Sequence, residues 1–158
     1  MIDVRAGTER DVPFVIVCIR ALAEFEKLSQ FFQGTEEALA EHLFGAHPSC
    51  ELLIAEADGQ AQGYALFFTT YSTFLTRPGI YLEDLFVVDD ARERGLGKAL
   101  LVALARLAIE RGCGRLEWSV LDWNSRAIGF YDSLGAAPVA GWIPYRLEAG
   151  ALAALAQR

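Results

Sequence analysis

The chain has 158 residues, of which 53% are apolar and 22% charged, with a net charge of −7 and a sequence pI of about 4.8. The length suits one domain spanning residues 1–158, and the composition excludes a disordered chain. The acidic balance provides no general basic face for nucleic acid or anionic lipid, so any anion site must be a local exception. Cys18, Cys50 and Cys113 are odd in number and far apart, which points to a reducing, cytoplasmic compartment rather than a disulfide framework. Asp3, Arg5, Glu9, Arg10 and Asp11 interrupt the N-terminus, where a signal peptide would need an apolar run. Apolar runs such as residues 12–19 and 99–105 fall short of a membrane span.

Residues 2–5 read as a short strand. Thr8 then reads as an N-cap with Asp11 three positions on, and Pro13 is tolerated because it falls in the first turns. Phe14, Val17, Cys18, Ala21, Leu22 and Phe25 keep helical spacing to about residue 27. Thr35 caps a second helix ending near Phe44. Strands at 51–57 and 62–71 flank the hairpin signal Ala57-Asp58-Gly59-Gln60. After the turn Arg77-Pro78-Gly79, residues 81–88 form a strand with Glu83 and Asp84 set among apolar neighbours. A long helix covers 95–111, with Leu100, Leu101, Leu104, Leu107 and Ala108 on its apolar face and Gly112 ending it. A strand at 116–121, a helix at 124–134, a further strand at 139–147 and a short terminal helix complete the chain. This order gives an α/β domain with a meander first and a βαβ crossover around the long helix.

The sequence Arg92-Glu93-Arg94-Gly95-Leu96-Gly97-Lys98 lies between a strand and that helix. Glycines there allow close backbone approach, the first amides of a helix lack internal partners, and the helix dipole favours an anion. Two familiar phosphate motifs fail on named residues. A P-loop needs a hydroxyl where Ala99 stands and a glycine near Ala91, and the dinucleotide fingerprint needs a glycine where Leu100 stands. The remaining pattern, Arg-x-x-Gly-x-Gly after a strand, resembles the pyrophosphate loop of the GNAT N-acetyltransferases. A turn with solvated charges is the alternative.

Several further segments carry the same resemblance. They are Ala23-Glu24-Phe25-Glu26-Lys27-Leu28-Ser29, Tyr71-Ser72-Thr73, Tyr81-Leu82-Glu83-Asp84-Leu85-Phe86-Val87, Val120-Leu121-Asp122-Trp123-Asn124, Phe130-Tyr131 and Gly141-Trp142. Together they are similar to the diamine acetyltransferase branch of that family, and most of all to its thialysine N-epsilon-acetyltransferase-like members. The resemblance implies the GNAT acyl-CoA N-acyltransferase fold, a mixed, mostly antiparallel sheet with splayed central strands and flanking helices. It implies acetyl-CoA as cosubstrate. The backbone of Leu85, Phe86 and Val87 would pair with the pantetheine arm. Amides of Arg94, Gly95, Leu96, Gly97, Lys98 and Ala99 would hold the pyrophosphate, with Arg92 adding charge. Asn124 would contact the cofactor, and Arg126 is either a phosphate contact or a solvated helix charge. The family also implies a homodimer and a chemistry that needs no metal, while the acidic balance and the short apolar runs already speak against nucleic acid or membrane as partner.

Acetyl transfer needs a neutral amine and a proton for the departing thiolate. Near neutral pH only about one lysine-like amine in a thousand is unprotonated. Glu83 sits where the family places its base. Either it relays a proton, through water or after burial raises its pKa, or it only attracts the amine. Tyr131 is the expected general acid, since a phenol near pKa 10 is protonated at pH 7 and can donate to a thiolate. A main-chain N–H near Val87 would polarise the thioester oxygen. Glu26, Ser72, Glu83 and Asp84 are the expected acceptor-site residues, although Glu26 reads equally well as a solvated charge. Relatives specific for polyamines carry an acid where Ser72 stands, so a lysine-like amino acid or small diamine is the expected acceptor. An acyl-CoA-binding module without catalysis and a protein acetyltransferase of the same fold are the competing readings.

Overall fold

The computed structural model describes residues 1–158, which fall into two compact units, Met1–Ser119 and Val120–Arg158. In the first unit, strand β1 (Ile2–Ala6) runs through a 3-10 turn (Glu9–Asp11) into helix α1 (Val12–Phe25). One carboxylate organises this entry. Asp11, 7% exposed, accepts from both terminal nitrogens of Arg5 at 2.8 and 2.9 Å and from the Thr8 amide and hydroxyl at 2.7 and 3.0 Å. Thr8 therefore opens the 3-10 turn, and Pro13 stands in the first turn of α1.

The Arg5 hydrogen bond, joined by those from Thr8, holds the Asp11 carboxyl down to about 2. A carboxyl with a depressed folded pKa contributes stability above its unfolded value and loses it as the pH falls through the folded value. The contribution is about 2 kcal/mol above pH 4. Asp11→Asn is expected to unfold roughly 4–8 °C below the parent at pH 6. That gap should close as the pH is lowered from 4 towards 2. Thermal unfolding of both proteins across that window checks it, and a gap constant with pH would contradict it.

Thr35 caps helix α2 (Glu36–Phe44), its hydroxyl accepting from the Ala38 amide at 3.2 Å. Strands β2 (Glu51–Ala57), β3 (Gln60–Ser72) and β4 (Arg77–Val87) form the expected meander. Helix α3 (Leu96–Glu110) then crosses to β5 (Leu116–Trp118). The sheet order is β1-β2-β3-β4-β5, antiparallel through β4 and parallel between β4 and β5. Helices cover both faces. Val15, Cys18 and Leu43 from α1 and α2 pack with Leu52, Ile54, Tyr64, Leu66 and Phe86 on one side. On the other, α3 packs against the sheet through Leu96, Leu100, Leu101 and Leu104, and Arg111 at its end clasps Glu51 through two 2.7 Å contacts.

Strand β4 carries two irregularities. Leu66 pairs with Asp84 but Phe67 pairs with Leu82, so Glu83 is an extra residue without a partner on β3. Such a bulge reverses the alternation of faces. Leu82 lies on the α3 face opposite Phe67, while Asp84, only two residues on, lies on the α1 face with Tyr64 and Leu66. The second irregularity is that β5 pairs with β4 only at Ile80, Tyr81 and Leu82. Beyond Leu82 the two strands no longer pair, as the splayed sheet requires.

The second unit contains helices α4 (Ser125–Ser133) and α5 (Ala149–Ala156). The strand expected at 139–147 does not form, and the strand expected at 116–121 stops at Trp118. A strand needs a neighbour for its amides and carbonyls, and residues 139–147 pair with none. Gly141 takes a φ of +87° and Pro144 removes a donor, which further breaks any ladder there. Trp142 and Tyr145 are 78% and 92% exposed. No helix in the chain is long and apolar enough to cross a membrane.

Candidate active site

Where β4 and β5 part, the backbone of Leu85, Phe86 and Val87 keeps its pairing to β3 on one side and has no strand on the other. The chain leaves Val87 through a 3-10 turn (Asp89–Ala91) and enters α3 at its N-terminus. Glu93 and Gly95 take φ values of +68° and +90°. Gly95 is required by that backbone, since a side chain there is strained. Gly97 has no such reason. A Cβ on it would meet only the Val87 Cγ2 atom at 3.9 Å, an ordinary contact. The fold tolerates a side chain at Gly97, and the space it leaves open lies directly over the first turn of α3.

The amides of this loop divide into two sets. Arg94 and Ala99 donate to Ala91 and Gly95 carbonyls at 3.4 and 2.9 Å. Leu96, Gly97 and Lys98 occupy the first three positions of α3, where amides have no intrahelical acceptor. The arginine side chains are engaged within the protein, Arg92 along the loop and Arg94 with the β2–β3 hairpin. Arg92 bonds Asp89 at 2.8 Å and the Val87 carbonyl at 3.3 Å, and its guanidinium lies 5.4 and 5.8 Å from the ring centres of Phe25 and Phe86. Arg94 bonds Asp58 at 2.9 Å and Gln62 at 3.3 Å. Lys98 is exposed. An open glycine beside helix amides that lack intrahelical acceptors is a donor set that fits a pyrophosphate, and it is made of main chain more than of arginine heads.

Beside the loop a cavity of about 560 Å³ opens between α1 and the segment after β4, with Val17, Ala21, Phe25, Phe86, Val88 and Arg92 among its walls. The bulge places acids near the end of α1. Burial first, then the charges of Asp84 and Glu83, raises the Glu26 carboxyl above the usual range. Burial also raises Asp84, with Glu83 adding to it and a hydrogen bond from Tyr64 opposing it. Glu26, Glu83 and Asp84 thus share one electrostatic site. The burial considered for Glu83 falls on Asp84 instead, because Glu83 is the exposed bulge residue.

Ser72 is buried, and its hydroxyl accepts from the Leu75 amide at 3.2 Å in the β3–β4 turn. In the second unit, Asn124 caps α4, its side-chain oxygen accepting from the Ala127 amide at 3.2 Å. Arg126 is exposed on the first turn of α4. Tyr131 is half-buried, with its ring centre 5.5 Å from that of Phe130. No three His, Cys, Asp or Glu side chains are grouped closely enough to hold a metal.

The parted strands, the glycine loop at a helix start and the acids at the bulge coincide with a family match. The model of the GNAT acetyltransferase family matches residues 19–136. This chain belongs to the GNAT acetyltransferase family. It is therefore an acyltransferase of the N-acetyltransferase type. Curated relatives agree over nearly full length. A thialysine N-epsilon-acetyltransferase of Mus musculus is 38% identical, covering 98% of this chain and 97% of the relative. An L-ornithine N5-acetyltransferase of Arabidopsis thaliana is 32% identical, covering 96% and 86%. Among solved structures, an integron cassette protein of V. cholerae superimposes with a TM-score of 0.82 at 26% identity, covering 99% of this chain and 98% of that one. The GNAT fold expected from the loop and strand motifs is the fold observed, with its mixed five-stranded sheet.

Proposed function

We propose that this acetyltransferase moves the acetyl group of acetyl-CoA to the side-chain amine of a small lysine-like amino acid or diamine. The observation that carries the reading is the cluster of Glu26, Glu83 and Asp84 at the β4 bulge, beside the parted strands and the open glycine loop. Such a cluster attracts an ammonium, the form in which nearly all of an alkylamine arrives at neutral pH. The relatives named for thialysine and ornithine support a compact amino-acid acceptor.

Bound acetyl-CoA supplies the activated acetyl group. The main-chain amides of Gly95, Leu96, Gly97 and Lys98 hold its pyrophosphate, the free edge at Leu85, Phe86 and Val87 holds its arm, and an N–H near Val87 polarises the carbonyl. Arg92 and Arg94 shape the loop and add charge, and Arg94 and Ala99 amides complete its turns. Asn124 and Arg126 serve the cofactor from α4. Asp84 and Glu26 bind the ammonium. Glu83, exposed to solvent, takes the amine's proton through water. As the new C–N bond forms and the C–S bond breaks, Tyr131 gives its proton to the departing sulfur. No metal is needed for these steps.

The whole chain acts as one domain, a reading supported by relatives matched over 96–98% of its length, and its three free cysteines support a place in the cytoplasm. It works as a homodimer, in which the exposed apolar residues Val139, Trp142, Ile143 and Tyr145 find cover. Ser72 is neutral, so it offers no charged partner for the distal ammonium of a polyamine, while its hydroxyl can still hydrogen-bond the head group of an amino acid. A missing charge-assisted bond of ~1.5–3 kcal/mol corresponds to roughly 10–100-fold in selectivity. Values of kcat/KM for thialysine, lysine, putrescine and spermidine on one preparation are expected to rank thialysine first. The nearby sulfur lowers its amine pKa and enlarges the neutral fraction. Spermidine at the top would overturn the assignment.

A further inference from the structure

Tyr64 sits in the sheet's α1-facing core, fully buried among Val15, Cys18, Leu52, Ile54, Leu66 and Phe86. Phenylalanine would fill the same space. A buried hydroxyl is costly unless it is partnered, so its presence calls for a specific use. Its partner is Asp84, whose Oδ2 accepts from the Tyr64 hydroxyl at 3.0 Å. The contact exists because the Glu83 bulge turns Asp84 to the α1 face, where it becomes a diagonal neighbour of Tyr64 across the β3–β4 pair. With regular alternation Asp84 would share the α3 face with Leu82.

We infer that Tyr64 is a positioning residue for the acceptor amine: from inside the core its hydroxyl fixes the Asp84 carboxylate and keeps it charged as the ammonium's counter-ion. The inference deepens the amine-pocket reading and rests on it. Asp84 faces groups of its own sign, Glu83 on its own strand and Glu26 at the end of α1, while Cys18 of α1 acts on the Tyr64 side of the pair and the Arg92 guanidinium lies 5.8 Å from the neighbouring Phe86 ring. Burial and Glu83 favour the neutral acid, and the Tyr64 bond is the opposing influence. Burial, with the Asp84 charge next, pushes the Tyr64 phenol well above its usual value. It therefore remains a donor throughout the working range of an amine acetyltransferase. A carboxylate held by an O–H is also fixed in rotamer, so the ammonium meets it in one place.

The test compares the full-length parent with Tyr64→Phe, Asp84→Asn, the double variant and Asp84→Glu, using acetyl-CoA and thialysine. Tyr64→Phe is expected to raise the amine KM about 3–10-fold with kcat within about twofold. It should also move the acidic limb of kcat/KM upward by roughly half to one pH unit. In the Asp84→Asn background the tyrosine change should add nothing, because the two act as a pair. Asp84→Glu retains the charge but displaces it by a methylene, and should raise KM by a similar factor. The carboxyl carbon of Asp84, followed by NMR in the free protein, should titrate at higher pH in Tyr64→Phe. If KM, the acidic limb and the Asp84 titration all stay in place in Tyr64→Phe, the inference is wrong whatever happens to Tm. If Tyr64→Phe fails to fold, an Asp84→Glu protein with unchanged KM overturns it. If Asp84→Asn itself leaves KM unchanged, the amine-pocket reading falls, which is a separate result from the failure of Tyr64 alone.

Discussion

Gly97→Val is expected to fold as stably as the parent and to bind CoA roughly 100-fold more weakly, a loss equal to two charge-assisted hydrogen bonds of ~1.5 kcal/mol each. The two halves of this expectation have different origins. Stability is retained because Gly97 has an ordinary helical conformation and only one atom within 4 Å of an added Cβ. Glycine is itself a poor residue inside a helix, so valine costs nothing in propensity. Affinity is lost because a branched side chain over the first turn of α3 keeps a pyrophosphate away from the amides of Leu96, Gly97 and Lys98. Arg94→Ala should cost much less, since its guanidinium is exposed and already engaged with Asp58 and Gln62. Calorimetric titration with CoA and a thermal melt of each variant decide the matter. Equal affinity in a folded Gly97→Val protein would remove the cradle.

Tyr131→Phe should lower kcat by about 10²–10⁴-fold, the range for loss of a general acid, with CoA affinity within about twofold of the parent. The hydroxyl is the only atom removed, and the ring that lies beside Phe130 is kept. A fall confined to kcat and kcat/KM, with KM little changed, marks an interaction made in the transition state. A change below about threefold would assign Tyr131 to packing.

Much of this site is written in local spacing. Gly95, Gly97 and the arginines are close in sequence and sit at a strand-to-helix junction, so their juxtaposition needs no tertiary information. The hairpin at Asp58-Gly59 and the apolar face of α3 are equally local. What spacing does not encode is register. Whether β4 carries its extra residue at Glu83 depends on how it pairs with β3, and that pairing decides that Asp84, half-buried, and not the exposed Glu83, is the acid turned towards the core. The same bulge brings Tyr64 to Asp84 across 20 residues of sequence, which is why Tyr64 reads as an ordinary strand aromatic until the fold is known. Ser72 likewise carries a detail that spacing does not encode: its buried hydroxyl accepts from the Leu75 amide three positions on, which fixes the side chain in the β3–β4 turn. Residues 139–147 have the apolar content of a strand, but a strand is a property of two chains of amides, and the second is missing.

The most direct test of amine acetylation is thiol release from acetyl-CoA, measured with and without a small amine and matched by mass analysis of the amine. Release is expected to depend on thialysine or lysine, with one acetyl group gained on the side-chain amine for each thiol freed. Tight CoA binding with no amine-dependent release would make the protein a binding module, and release only with peptide lysines would make it a protein acetyltransferase. Either result would contradict acetyl transfer to a small amine.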